Sequence, residues 1–259
     1  MAVGWYDTRN AADNKSAEYF AAVSVNGGTS FLPNVALSAG PSNVTGPGGG
    51  PRVRVYDGAT FEVVEDFFAF EPTFTGGVNV ASGDVGQTGF DDIIVGAGAG
   101  GGPRVRVFRS EDMAVTRDFF AYDPSFRGGV NVATGTFPGG AFSGGTEEID
   151  PLDTFPAILT AAGPGGGPHV KVFADDLKVQ SSFFAFDPTF TGGVRVASVA
   201  VRSLEDSEAI VAATGPGPDS RVALLTPTGS RAKPDLVPFA ADFRGGVFVG
   251  TPDETGFTR

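Results

Sequence analysis

The chain has no cysteine and a single histidine in 259 residues, along with one tryptophan and two methionines. Disulfides and thiolate zinc sites are thereby excluded, and one imidazole leaves no zinc set or Ser-His-Asp arrangement to assemble. Cationic residues are the minority, with 18 Lys and Arg against 30 Asp and Glu and a net charge of −12. That balance argues against a nucleic-acid binder and against docking on an anionic membrane. No apolar run approaches the roughly 20 residues a membrane helix needs, so no membrane insertion is expected. The opening Met-Ala-Val-Gly-Trp-Tyr-Asp lacks a basic segment followed by an apolar stretch, which fits either an internal protein or a portion of an exported one. Glycine and proline, by contrast, are plentiful at 39 and 19 residues, and they leave little room for long helices. Phenylalanine is plentiful too, with 24 residues in a chain that is 41% hydrophobic, enough apolar surface to offset the entropy of ordering.

Internal repeats organise the chain. Gly46–Asp57 reads GPGGGPRVRVYD, and recurs as GAGGGPRVRVFR from Gly98, as GPGGGPHVKVFA from Gly163 and as GPGPDSRVALLT from Gly215. A second block recurs in phase: DFFAFEPTFTGGVNVA (Asp66–Ala81), DFFAYDPSFRGGVNVA (Asp118–Ala133) and SFFAFDPTFTGGVRVA (Ser182–Ala197). A worn copy, PFAADFRGGVFVG, runs from Pro238 to Gly250. The four repeats lie near 46–82, 98–134, 163–198 and 215–250. The step between the second and third is lengthened by a polar insertion, Pro138 to Asp153, that reads as a surface loop. Within a unit the apolar period is two in Arg52-Val53-Arg54-Val55-Tyr56 and Gly77-Val78-Asn79-Val80-Ala81. Asp92–Gly96 and Pro156–Thr160 are short continuous apolar runs, the mark of strands covered on both faces. Each unit thus carries four short strands.

Such a repeat fits an all-β fold, a β-propeller of four-stranded antiparallel blades. The rows Phe67, Phe119, Phe183 and Phe74, Phe126, Phe190, Phe243 are expected to pack between sheets, since they recur in every copy.

These blocks resemble the FG-GAP (VCBS-type) β-propeller repeats of exported bacterial proteins, over roughly Val35 to Gly250. The resemblance implies a blade that begins with the GGVxVA strand and continues through the IIV, RVRV and FFAF strands. The first unit then lacks its opening strand and the chain ends on a spare one, Gly245 to Gly250. From this follow four to five blades, closed by pairing of the N- and C-terminal strands, with no exposed edge. Residues 1–33 stand apart from the propeller at 34–259. Ser24-Val25-Asn26-Gly27-Gly28-Thr29-Ser30-Phe31 resembles the Asp-box of BNR (sialidase-type) repeats, with Asn26 in place of the acidic residue. Asn26-Gly27 between Tyr19–Val23 and Phe31-Leu32 is also a hairpin signal in its own right.

The FG-GAP resemblance further implies a calcium loop between the GGVxVA and IIV strands. In Asp84–Asp92, the residues Asp84, Thr88 and Asp92 fall on ligand positions. Gly86 supplies no side chain there, and Thr88 stands where a carboxylate belongs. A hard cation needs more oxygens than these, so Ca²⁺ is expected to bind weakly or not at all, with Asp84 capping a turn.

Other motifs reduce to the repeat. Gly46–Pro51 is followed by a strand with no lysine, a turn rather than a phosphate cradle. Glu71, Asp123 and Asp187 align with one another before proline and read as turn residues rather than a glycosidase pair. The repeated basic row includes Arg52, Arg104, His169 and Arg221. These four are the candidate ligand-binding residues; the competing reading has them bond carbonyls of adjacent blades or pair with acids. The expectation is a non-catalytic binding or display module, extracellular or at the cell surface of a bacterium, facing a carbohydrate or a cell-surface protein. A degenerate sialidase- or glycosidase-type fragment, or a structural spacer within an adhesin, are the alternatives.

Overall fold

The computed structural model describes residues 4–5, 20–25, 34–38, 50–57, 60, 62–138, 154–200 and 208–250. Among them every regular element is a strand, and every sheet is antiparallel. β1 (Gly4–Trp5), β2 (Phe20–Val25), β3 (Asn34–Ser38), β4 (Arg52–Tyr56) and β5 (Val63–Phe68) form one meander. β6 (Val78–Gly83), β7 (Asp92–Ala97), β8 (Arg104–Phe108) and β9 (Val115–Phe120) form the second. β10 (Val130–Pro138), β11 (Thr154–Ala162), β12 (His169–Phe173) and β13 (Val179–Phe184) form the third. β14 (Val194–Ala200), β15 (Glu208–Thr214) and β16 (Val222–Leu225) form a three-stranded fourth. The chain divides into two compact units, 1–132 and 133–259, with the boundary inside β10.

The repeat phase sets this order. The GGVxVA, IIV, RVRV and FFAF blocks become β6, β7, β8 and β9 in sequence, each hydrogen-bonded to the next. The continuous apolar run is buried on both faces, as Ile93, Ile94 and Val95 show in β7. The RVRV strands instead alternate, with Val53 and Val55 inward and the arginines half-buried. A register shift recurs at the same place in three sheets, at Val55/Tyr56, Val107/Phe108 and Val172/Phe173.

In the first unit the core gathers Val53, Phe70, Val78, Ile93, Val95 and Phe108. Phe67 tilts onto Phe108 of the neighbouring sheet at a centroid distance of 4.9 Å, the inter-sheet packing expected of its row. In the second unit Val170, Val172, Val194, Ile210 and Leu225 are buried together, with Phe183 packed on them. The other row works differently. Phe74 stands edge-on to Phe70 at 6.3 Å, and its ring covers Gly76 and Gly101, so it packs in the links between strands. Phe190 covers Gly192 and Gly217 in the same manner.

The paired glycines at each sheet entry have separate reasons. A Cβ on Gly192 would lie 2.1 Å from the Pro216 carbonyl oxygen, and one on Gly215 2.0 Å from that of Gly192. Two backbones therefore touch here, joined by Gly215 N–H donating to Gly193 O at 2.8 Å. Gly193 itself sits at φ 77°, as Gly77, Gly129 and Gly246 do at φ 69°, 81° and 75°.

Two sequence expectations are corrected. β3 takes its opening partner from β2, with Ala22 opposite Leu37 and Val25 opposite Asn34, so the first sheet is completed within the N-terminal segment. Residues Gly245 to Gly250 carry no strand pairing among the described residues. Second, the hairpin partner of β2 is Asn34–Ser38 rather than Phe31-Leu32, because the apolar Val35-Ala36-Leu37 matches β2 in register. Asn26-Gly27 and the insertion at 139–153 lie outside the described residues.

Gly215→Ala should lower unfolding stability by about 3 kcal/mol, since backbone cannot yield the space. Gly165→Ala, at φ 90° with nothing within 4 Å, should cost about 1 kcal/mol through backbone strain alone. Urea unfolding of both variants measures the contrast.

Candidate functional site

The turn between β6 and β7 is built around Asp84 and Asp92. Asp84 accepts from the Thr88 amide through Oδ1 and from the Gly89 amide through Oδ2, both at 2.8 Å. Asp92 accepts from the Gly86 amide at 2.9 Å, and the Thr88 hydroxyl donates to Phe90 O at 3.4 Å. Asp92 is 2% exposed, and burial pushes its carboxyl above the usual range, against the opposing pull of that amide. The turn directs N–H dipoles at the carboxylate oxygens a cation would use, and Gly86 adds no side-chain oxygen. Asp84, Thr88 and Asp92 are thus brought together, but as a self-capped turn whose donor set does not fit a calcium ion. Among the described residues no cluster of three His, Cys, Asp or Glu side chains has metal-site geometry.

The basic row faces the outer strand in the first three sheets. Arg52 bonds Asp66 through Nε and Nη2, both at 2.5 Å, and Arg54 Nε donates to the same carboxylate at 3.0 Å. Arg104 and Arg106 hold Asp118 at 2.7 and 2.9 Å through their Nε atoms, and Arg104 reaches Glu71 at 3.1 Å. The third copy changes both sides of this pairing. His169 Nε2 meets Ser182 Oγ at 2.8 Å where the other copies have arginine and aspartate. Burial, then the Lys171 charge, pushes the His169 imidazole pKa down. Arg221 Nη2 lies 3.5 Å from Asp219 Oδ2.

Directly across the ladder from these residues stand aromatic rings. Arg52 pairs with Phe68, Arg104 with Phe120 and His169 with Phe184. The rings are 49%, 52% and 50% exposed, and Phe184 lies 5.0 Å from the His169 ring. Each of these three sheets therefore presents one half-exposed phenylalanine beside one cation or imidazole. The sequence singled out the basic residue and missed its ring; the second Phe of each FFA block was the signal, since alternation turns it away from its half-buried neighbour.

Arg106 and Arg231 have a different task. Arg106 Nη1 donates to Ala69 O of the adjacent sheet at 2.7 Å and lies over Phe70 at 5.3 Å. Arg231 Nη2 donates to Ala185 O at 2.7 Å and lies over Phe186 at 5.6 Å. By ladder register Ala223, opposite Ala212, holds the place that Arg106 holds opposite Val95. The fourth copy lost that arginine, and Arg231 supplies the guanidinium from the neighbouring segment. Repeat alignment alone gave no hint of it, because the residue lies off the repeat.

Asp123 and Asp187 accept from the amides of Ser125 at 2.8 Å and Thr189 at 2.9 Å, which makes them turn caps. Glu71 is tied to Arg104. No model of a known protein family matches the chain, and no curated protein matches it either.

The Arg104 and Arg106 hydrogen bonds hold the Asp118 carboxyl below the usual range. A depressed acid stabilises the fold above its unfolded value near 3.9, and that stabilisation is lost as pH falls through the folded value. Asp118→Asn should therefore cost about 1 kcal/mol at pH 6, after screening of a part-exposed pair, and the gap from the parent should close with acidification below about pH 4. Denaturant unfolding across that range gives the curve; a gap independent of pH contradicts the assignment.

Proposed function

We propose that the chain is a β-propeller of the FG-GAP type that acts as a non-catalytic binding or display module of an exported bacterial protein, with carbohydrate as its ligand. The observation that carries the reading is the recurring pair of a half-exposed ring with a cation or imidazole: Phe68 with Arg52, Phe120 with Arg104, Phe184 with His169. Sugar rings stack their C–H faces on aromatic surfaces, and guanidinium forks bind carboxylate or sulfate groups. A rigid sheet edge holds such a pair in place at little entropic cost. The arginines are already paired with Asp66 and Asp118, so an anionic glycan competes with a carboxylate, which sets a modest affinity for one site. Repetition across sheets then raises the avidity of a polymer.

The same logic supports a module without catalysis. The acids that align across copies serve turns and ion pairs, and the lone imidazole sits in a place that arginine fills elsewhere. Calcium has no part in the reading, since the β6–β7 turn closes on its own amides. Among the described residues no helix is long and apolar enough to cross a membrane.

A glycan array containing sulfated and uronate polymers tests the proposal, run with and without a chelator. The expected result is retention of uronate or sulfated chains, unchanged by the chelator and weakened at least tenfold by Phe120→Ala with Phe184→Ala. Failure to retain any glycan, or full retention by the double variant, overturns it.

A further inference from the structure

Arg52 and Arg104 hold their aspartates with the Nε and Nη2 side of the guanidinium. Arg127 is held differently. It closes the turn that leaves β9, and its Nη1 donates to Pro124 O at 2.5 Å and to Phe126 O at 3.1 Å. Arg244 repeats the arrangement in the fourth copy, with Nη1 donating to Ala241 O at 2.6 Å, to Phe243 O at 3.4 Å and to Pro218 O at 2.9 Å. Two copies thus hold an arginine in the same place, through one nitrogen and by main-chain carbonyls. The first and third copies carry Thr75 and Thr191 there. The turn itself does not require the guanidinium. Phe74 N–H donates to Glu71 O at 2.8 Å and Phe190 N–H to Asp187 O at 2.9 Å, just as Phe126 N–H donates to Asp123 O at 2.9 Å.

Arg127 also stands beside the ring on which the functional reading depends. Gly102, buried and at φ 77°, lies between them: an added Cβ would be 3.7 Å from Phe120 Cε1 and 3.8 Å from Arg127 Nη1. The half-exposed Phe120 is therefore flanked by two guanidiniums, Arg104 across the ladder and Arg127 across Gly102. Their charges are spent differently. Arg104 meets Asp118 and Glu71, whereas the exposed Arg127 bonds carbonyls, which carry no net charge. The acid of its own turn, Asp123, accepts from the Ser125 amide at 2.8 Å and the Ser125 hydroxyl at 2.6 Å.

We propose that Arg127 is a specificity-determining residue of the second sheet, whose Nε and Nη2 side receives the carboxylate of a uronate lying on Phe120. The assignment rests on the glycan reading and names the group that the polymer must carry. A guanidinium matches a carboxylate in two parallel hydrogen bonds, as Arg104 already does with Asp118 at 2.7 and 2.6 Å. The ligand does not have to displace a carboxylate from Arg127, because carbonyls hold it through the other nitrogen. Those bonds fix the side chain before the sugar arrives and lower the entropy lost on binding. A uronate bears its carboxylate directly on the pyranose ring, so a sugar stacked on Phe120 brings that group to the border where Arg127 stands.

The test titrates the full chain with a fluorescent alginate hexamer and with its carboxyl-reduced form, at constant ionic strength. The parent should bind the uronate form at least tenfold more tightly. Arg127→Thr installs the residue of the first and third copies; it should weaken the uronate at least fivefold and shift the reduced form less than twofold. Thr191→Arg, made in the parent, should strengthen uronate binding at least twofold, a result that does not depend on how the first variant folds. Uronate binding unmoved by both variants, or an equal loss for both hexamers in Arg127→Thr, overturns the inference and leaves the glycan reading standing. Retention of sulfated chains alone does the same. If the parent retains no glycan, the glycan reading fails and the role of Arg127 fails with it.

Discussion

The seam where one sheet meets the next is the constraint from which the described structure follows. At such seams within a unit, backbone lies on backbone with no side chain between, at Gly129 over Gly98 and at Gly193 over Gly163. A guanidinium then reaches across to a carbonyl of the preceding sheet, from Arg106 to Ala69 and from Arg231 to Ala185. Both interactions satisfy buried polar groups that apolar packing would leave without partners. Phenylalanine fills the rest of the gap, as Phe67 does against Phe108. The close glycine contacts, the two crossing guanidiniums and the inter-sheet rings are thus three aspects of one joint.

Much of this was legible in the sequence because repetition averages out chance. The four-strand order, the doubly buried Ile93-Ile94-Val95 run and the Phe67 packing all follow from aligning copies. Asp84 accepts from the Thr88 and Gly89 amides, a cap of the kind an Asp at the start of a glycine-rich turn suggests. What was not legible lies where the chain departs from its own repeat. β2 has none of the GGVxVA signature, so its service as the opening strand of the first sheet could not be seen from the blocks. Arg231 was hidden for the same reason, because only ladder register reveals that Ala223 left a vacancy for its guanidinium. The exposed rings Phe68, Phe120 and Phe184 sat in plain view but were overshadowed by their half-buried neighbours.

This division between seam and surface shapes the functional reading. Residues copied faithfully, such as the paired glycines, are consumed by the joint. The variable partners of the outer strands, arginine with aspartate in two copies and histidine with serine in the third, change together while the ring beside them is kept. The Arg104–Asp118 pair and the His169–Ser182 pair each carry no net charge, and the ring beside each stays half exposed.

The joint can be tested by moving its guanidinium back to the place the repeat assigns it. Arg231→Ala should destabilise the chain by about 2 kcal/mol, through a carbonyl left without its donor and a ring without its cation. Adding Ala223→Arg to that variant should restore at least half of the loss in urea unfolding, because position 223 is where Arg106 stands in the second sheet. If the double variant is as unstable as the sum of its two single changes, the guanidinium is not what holds one sheet to the next, and the central claim is contradicted.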